Sequence, residues 1–219
     1  MNLIFDLDGT LIDSRLRLYN LFQLLVPTSE LTYQDYWAFK QEKVSNEDIL
    51  IKQFSFDAAA IKRFVADWMG NIEAPEFLAL DKNLPGMHAT LAELRKQANL
   101  YVCTARQYSI PVLDQLERLR LLHYFDEVMV TEQTRSKEEL VRTLPSLASQ
   151  DWMIGDTGKD IQVGQMLGIK TCAVLSGFLN EKALLNYGPD LILPTAIPCH
   201  SISHRMWLQC QPSWIHMCA

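Results

Sequence analysis

The sequence predicts an α/β protein: a parallel sheet covered by helices on both faces, with an all-helical segment inserted near its start. Three observations carry this. Short apolar runs recur along the chain at Leu3–Phe5, Leu100–Cys103, Val128–Val130 and Trp152–Ile154, with a fifth at Thr171–Leu175. Stretches of helical periodicity separate them, and strands alternating with helices give a parallel sheet. From about Arg15 to Leu80 the alternation stops, and no convincing strand is visible.

Each element follows from its own pattern. Leu91, Leu94 and Arg95 come after a Pro85-Gly86 turn signal, and Val112, Leu113, Leu116 and Leu119 form one helical stripe. In the interval without strands, Leu18, Leu21, Phe22 and Leu25 repeat at helical spacing, as do Ile61, Phe64, Val65, Trp68 and Met69. Thr32 to Lys43 and Asn46 to Phe54 are two further helical candidates. Several helices where one crossover would suffice predict an insertion. The expected division is 1–14 and 81–198 as the α/β core, 15–80 as the helical insert, and 199–219 as a C-terminal tail of unknown role.

The bulk numbers exclude several classes. At 219 residues the chain can bury a core, and 48% apolar with 21% charged residues is a globular balance. A net charge of −6 disfavours nucleic acid as a partner. No basic-then-apolar leader and no apolar run of about 18 residues is present, so neither secretion nor a membrane span is expected. The 5 cysteines lack the spacing of a disulfide framework, which predicts a reducing, cytoplasmic setting.

The residues just past the apolar runs carry the chemistry. Asp6 and Asp8 follow the first run, Thr104, Ala105 and Arg106 the second, and Lys137 the third after a short loop. Gly155-Asp156-Thr157-Gly158-Lys159-Asp160 follows the fourth. Ligands of open α/β sheets bind beyond the carboxyl ends of the strands, so Asp6, Asp8, Thr104, Lys137 and Asp156 are expected to converge. Crowded carboxylates stay ionised only with a cation among them, and an all-oxygen donor set selects Mg2+ over zinc. A hydroxyl and an ammonium beside the acids suit a phosphoryl group. Taken singly, these residues have structural readings too: Thr104 as a helix cap, and Thr157 with Asp160 as a capping pair.

These motifs resemble those of the haloacid dehalogenase-like (HAD) superfamily of phosphohydrolases. FDLDGTLIDS is similar to its Asp-x-Asp-Gly-Thr motif, VCTAR to its strand ending in Thr or Ser, and Lys137 in TRSKEEL to its lysine motif. IGDTGKD, continued by VGQMLGIKTCAV, is similar to its acidic fourth motif. The resemblance implies a Rossmann-like core with a helical cap. It implies Asp6 as nucleophile, forming an aspartyl-phosphate, and Asp8 as general acid and then base. It implies Mg2+ held by Asp6, the Asp8 backbone carbonyl and Asp156, with Asp160 as an orienting residue or weaker ligand. Thr104, the backbone amide of Ala105 and Lys137 would hold the phosphoryl oxygens. Dehalogenases of the superfamily lack the second aspartate, so Asp8 implies a phosphatase of a small phosphorylated metabolite. A phosphomutase of a sugar phosphate and a non-catalytic binding protein are the alternatives. The protein is expected to be a monomer or a small homo-oligomer.

Within the insert, Arg15, Arg17, Lys40 and Lys43 could reach an anionic leaving group, Lys40 being the single best candidate, although each also reads as a solvated helix face. Tyr36 and Trp37 could line a pocket, with Trp37 favoured as core. In the tail, Cys199, His200, His204, Cys210, His216 and Cys218 could be imagined as a zinc site, but their spacing matches no finger, and a tail that packs on the domain or has no selected role is the expectation.

Overall fold

A computed structural model describes residues 1–196 of the chain. The tail 199–219, with its candidate zinc ligands, lies outside the described residues, as do positions 197 and 198. The first strand, β1 (Asn2–Phe5), is followed by a short strand β2 (Ile12–Asp13). Helices α1 (Arg15–Leu25), α2 (Tyr33–Gln41), α3 (Asn46–Phe54), α4 (Ala58–Asn71) and α5 (Pro75–Leu78) come next, and β3 (Lys82–Asn83) closes the interval. Then follow α6 (Met87–Arg95), β4 (Asn99–Thr104), α7 (Ser109–Arg118), a 3-10 turn at Leu122–Tyr124 and β5 (Glu127–Val130). The remainder is α8 (Lys137–Val141), β6 (Trp152–Gly155), α9 (Gly158–Leu167), β7 (Lys170–Val174), α10 (Glu181–Leu185) and β8 (Leu191–Leu193).

Six strands form one sheet in the order β5-β4-β1-β6-β7-β8, and every pairing is parallel. The chain builds outward from β1 to β5, then returns to the other side of β1 with β6. The strand order therefore reverses between β1 and β6, where a crevice opens at the carboxyl edge. Alternation along β1 sends side chains to opposite faces. Leu3 and Phe5 join Leu100, Val102, Trp152 and Ile154 in a cluster under α6 and α7. Ile4 joins Tyr101, Cys103, Met129 and Met153 under α8. Both faces are thus dry, which explains why these strands read as unbroken apolar runs.

The amino edge is fixed by a buried polar lock. Asp151, which is 1% exposed, accepts from the Asn2 backbone at 2.7 Å and from its Nδ2 at 3.0 Å. Asn2 in turn accepts from Asn99 Nδ2 at 3.1 Å, tying β1 to β4.

Helices α1–α4 pack around their own apolar cluster of Leu18, Phe22, Tyr36, Trp37, Leu50 and Phe64, with further residues at its margin. Trp37 is core, 5% exposed, and its ring meets Phe178 of the sheet layer at 5.5 Å. The chain leaves the sheet along β2 and returns along β3, and these two strands pair antiparallel. This ribbon joins the helical segment to the sheet.

Candidate active site

Asp6 follows the last residue of β1, and its backbone amide still donates to Ile154 O at 2.8 Å. A tight turn then reverses the chain: Gly9 N donates to Ile12 O at 2.8 Å, with Gly9 at φ 76°. A side chain at Gly9 would strike Asp156 Oδ2 at 2.4 Å, so glycine is required both for the turn and for the close approach. Asp156 follows β6, the neighbouring strand. One oxygen each of Asp6, Asp156 and Asp160 lies within 4.8 Å of the others, and all three residues are buried.

Local structure positions the rest. Ser136 and Glu139 form a capping box at the start of α8, which makes Lys137 its first residue. Lys137 Nζ then reaches Asp6 Oδ1 at 2.8 Å and Asp160 Oδ1 at 2.6 Å. Arg135, two residues earlier, turns back to the Glu139 carbonyl at 3.3 Å instead. The Thr157–Asp160 capping pair is present, with Thr157 Oγ1 donating to Asp160 Oδ2 at 2.6 Å. Asp160 therefore has one oxygen on its own helix and the other on Lys137. Thr104 ends β4, is 2% exposed and does not cap a helix, since α7 begins at Ser109.

The electrostatics separate the acids. Burial pushes Asp6 up to about 7, against the opposing pull of Lys137. Burial, then the nearby charges of Asp6 and Asp160, raise Asp156 well above the usual carboxylate range. Lys137 moves up despite burial, because Asp160 and Asp6 flank it. Burial alone would raise Asp8 too, but the Arg106 and Arg17 guanidiniums overcome it and hold Asp8 far below its ordinary value.

Arg106 has no assigned role in the sequence, and Arg17 is one of the insert cations that could either reach an anionic leaving group or face solvent. Arg106 donates to Asp8 through Nε at 2.5 Å and Nη2 at 2.8 Å. Arg17, read as a solvated helix position, is 2% exposed; it donates to Asp8 and to the Ile72 carbonyl at 3.1 Å. Asp81, 1% exposed, lies 3.2 Å from Arg17 Nε and 3.5 Å from Arg106 Nη2. The one signal available was position: Arg106 stands two residues past Thr104 at a strand end. Lys40 is not brought to the site. Its amine donates to Asn46 at 3.2 Å and sits 5.9 Å from the Tyr36 ring, within the helical segment. Lys43 sits 5.1 Å from the Tyr187 ring, and Arg15 pairs with Asp13.

Two cavities flank the acids. The larger, about 630 Å³, includes Asp6, Lys137, Arg135, Thr157 and Lys159 in its lining. The smaller, about 290 Å³, lies between the helical segment and the sheet edge and includes Asp8, Arg17, Glu73 and Arg106. Cys103 is no competing nucleophile or thiolate ligand, because burial pushes its thiol up to about 12.

The donor set suits a hard divalent cation. Three buried carboxylates converge with one ammonium to offset them, and glycines leave the space around Asp156 open to its carboxylate: a Cβ at Gly177 would stand 1.9 Å from Asp156 Oδ2. A six-stranded parallel sheet with acids gathered at its switch point and a lysine between two of them defines an α/β protein with a charged site in its crevice. The chain belongs to the haloacid dehalogenase-like hydrolase family, whose model matches residues 3–174. It is 24% identical over 208 residues to a phosphoglycolate phosphatase of Mesorhizobium japonicum, covering 87% of this chain and 89% of that one. Among solved structures it is similar to a haloacid dehalogenase-like hydrolase of Streptococcus pneumoniae, with a TM-score of 0.71, 23% identity, and 89% and 94% of the two chains covered. A predicted phosphatase of Clostridium acetobutylicum has a TM-score of 0.72 at 20% identity, covering 95% and 98%. No helix among the described residues is long and apolar enough to cross a membrane.

Proposed function

We propose that the protein is a Mg2+-dependent phosphatase of a small phosphorylated metabolite, working through an aspartyl-phosphate on Asp6. The observation that carries this is Asp6 Oδ1 held by Lys137 Nζ and by the Leu7 amide, both at 2.8 Å, inside the three-carboxylate cluster. Both donors fall on Oδ1, so attack on phosphorus is assigned to Oδ2. As the Asp6 oxygen bonds to phosphorus, the ester bond breaks and the departing alkoxide takes a proton from Asp8. Asp8 then removes a proton from water, whose oxygen attacks phosphorus and releases phosphate, restoring Asp6. To act as the acid, Asp8 must first take up a proton from water, since the arginine pair holds it as a carboxylate in the resting protein. Lys137, Thr104 and the Ala105 amide would receive the phosphoryl oxygens.

Asp6, Asp156 and the Asp8 carbonyl would hold Mg2+, with Asp160 as an orienting residue. When bound, the cation supplies charge neutralisation for the nucleophile and the phosphoryl oxygens. The helical segment 15–80 acts as a cap over the core, and the small cavity between them supports this: Arg17, Trp68 and Glu73 line it from one side, Asp8, Arg106 and Gln107 from the other.

The test is Asp6→Asn. Hydrolysis of p-nitrophenyl phosphate should disappear while the circular dichroism spectrum is kept; wild-type turnover in this variant would remove Asp6 as nucleophile. Excess chelator should abolish wild-type activity, and added Mg2+ should restore it.

A further inference from the structure

The position of Asp8 decides where the leaving group lies. An acid that protonates the departing oxygen must touch it, and Asp8 lines the smaller cavity, not the larger. The polar groups of that cavity are therefore those that meet the alcohol.

The two guanidiniums there already face acids of the protein, with Arg106 Nη1 alone of that residue's nitrogens left without an acceptor. Arg106 serves Asp8 and Gln115, and Arg17 serves Asp8 and the Ile72 carbonyl; both also face Asp81. With Asp8 in the acid form its role requires, Asp81 and Glu73 balance the two guanidiniums, so no net positive charge is left over in the cluster. A second anion on the substrate would find nothing there to offset it.

Glu73 differs from the others. It is 8% exposed, and its Oε1 accepts the Gln107 amide at 2.7 Å. Its Oε2 is buried and accepts no hydrogen bond among the described residues. A purely structural role, strapping the loop after α4 to the loop after β4, accounts for Oε1 alone. Gln107 Nε2, donating to the Met69 carbonyl at 2.9 Å, already ties the last turn of α4 to the loop after β4. A buried carboxylate oxygen without a donor is costly unless a ligand brings one. Arg106 Nη1 is likewise buried without an acceptor. A hydroxyl can serve either one, donating to Glu73 or accepting from Arg106, and both residues line this cavity. An ammonium satisfies Glu73 and meets the aromatic walls of Trp68 and Phe178.

Resting on the phosphatase reading above, we infer that the leaving group is a small alcohol bearing its own hydrogen-bond donor, a hydroxyl or an ammonium received by Glu73 Oε2, and not one bearing a second anion. The substrate then differs in class from phosphoglycolate, whose leaving group carries a carboxylate. A site built to pair a substrate O–H or N–H discriminates strongly against esters lacking it.

The experiment compares kcat/KM, with Mg2+, for glycerol phosphate, phosphoethanolamine and phosphoglycolate. Wild-type protein should favour at least one of the first two by about tenfold or more over phosphoglycolate. Which of the two leads tells hydroxyl from ammonium. In Glu73→Gln the new amide offers N–H where Oε2 accepted, so this preference should fall by at least about tenfold, chiefly through KM. The preference is a ratio, so partial loss of folded protein cancels. Equal or better wild-type use of phosphoglycolate overturns the inference, as does an unmoved ratio in Glu73→Gln. Calorimetric binding of the same esters to Asp6→Asn protein, which should follow the same order, separates the two readings. Donor-first binding with no wild-type hydrolysis of any ester removes the phosphatase reading and keeps this one. Phosphoglycolate-first binding removes this one.

Discussion

Arg106 grips Asp8 with two nitrogens, Nε to Oδ2 at 2.5 Å and Nη2 to Oδ1 at 2.8 Å. The fork is 5% exposed and ties the end of β4 to the turn after β1. It also keeps Asp8 ionised, together with Arg17.

Removing that fork as Arg106→Gln leaves Asp8 and Asp81 with Arg17 alone. Losing one partner of a buried pair is expected to destabilise the fold by about 3 kcal/mol. The pH dependence identifies the cause. Asp8 has a folded value below its ordinary 3.8, so its contribution is present above that value and is lost as pH falls through the folded one. The deficit of Arg106→Gln relative to wild type should therefore be full at pH 7 and shrink as pH falls below about 4. Urea unfolding at several pH values measures this; a deficit constant down to pH 3 would mean lost packing, not lost charge pairing.

Lys137 and Arg135 present a second contrast. They lie two residues apart, yet only Lys137 reaches Asp6 and Asp160, while Arg135 bonds a backbone carbonyl of the following helix, α8. Lys137→Ala should lower kcat/KM by at least about a hundredfold, as expected on removing a charge aimed at a phosphoryl group. Arg135→Ala should cost less than about tenfold. Steady-state kinetics on an aryl phosphate decide it, and equal losses would show that the α8 start binds phosphate diffusely.

How far the sequence revealed these relationships depends on the range of the signal. Leu3, Ile4 and Phe5 are apolar because both sheet faces are covered, and that run marks the strand locally. Asp6, Asp156 and Lys137 were legible because each stands just past such a run, so the parallel topology alone brings them together. Arg17, Glu73 and Asp81 had no comparable marker. They belong to helices and loops whose approach to Asp8 is set by tertiary packing across the β2–β3 ribbon. That ribbon has two residues per strand and pairs Asp13 with Lys82, too short and too distant to leave a period. That Lys40 meets Asn46 was not legible for the same reason: charge and location within the insert do not say which way a helix turns.

Gly177 tests the cation site. A Cβ there would stand 1.9 Å from Asp156 Oδ2 and 2.3 Å from its carboxyl carbon, so Gly177→Ala must displace that carboxylate. The Mg2+ concentration giving half-maximal thermal stabilisation should rise about tenfold or more, in line with other losses of ligand orientation. Gly70 is the control. Nothing lies within 4 Å of its would-be Cβ, and it sits inside α4. Gly70→Ala should stabilise the protein by roughly 0.5–1 kcal/mol and leave the Mg2+ response unchanged. An unchanged Mg2+ response in Gly177→Ala would remove Asp156 from the cation site.

Lys40 offers a prediction about stability alone. Its amine is partly buried in the helical segment, with Asn46 as its hydrogen-bond partner, and burial lowers it from 10.5 to about 8. A base whose folded value is depressed carries a desolvation cost at every pH below that value. The cost is relieved between about 8 and 10.5, where the folded protein releases the proton while the unfolded chain keeps it. Wild-type stability from this residue should thus rise with pH across that window. Lys40→Met keeps the stem and removes the charge, so it should stabilise the protein at pH 7 by on the order of 1 kcal/mol, after the lost Asn46 bond is counted. That advantage should fade as pH approaches 10.5, because wild-type Lys40 is then neutral in the fold. Denaturant unfolding at pH 7 and pH 10 checks both parts. A destabilised Lys40→Met at pH 7 would show that the Asn46 and Tyr36 contacts outweigh the cost of burying the charge.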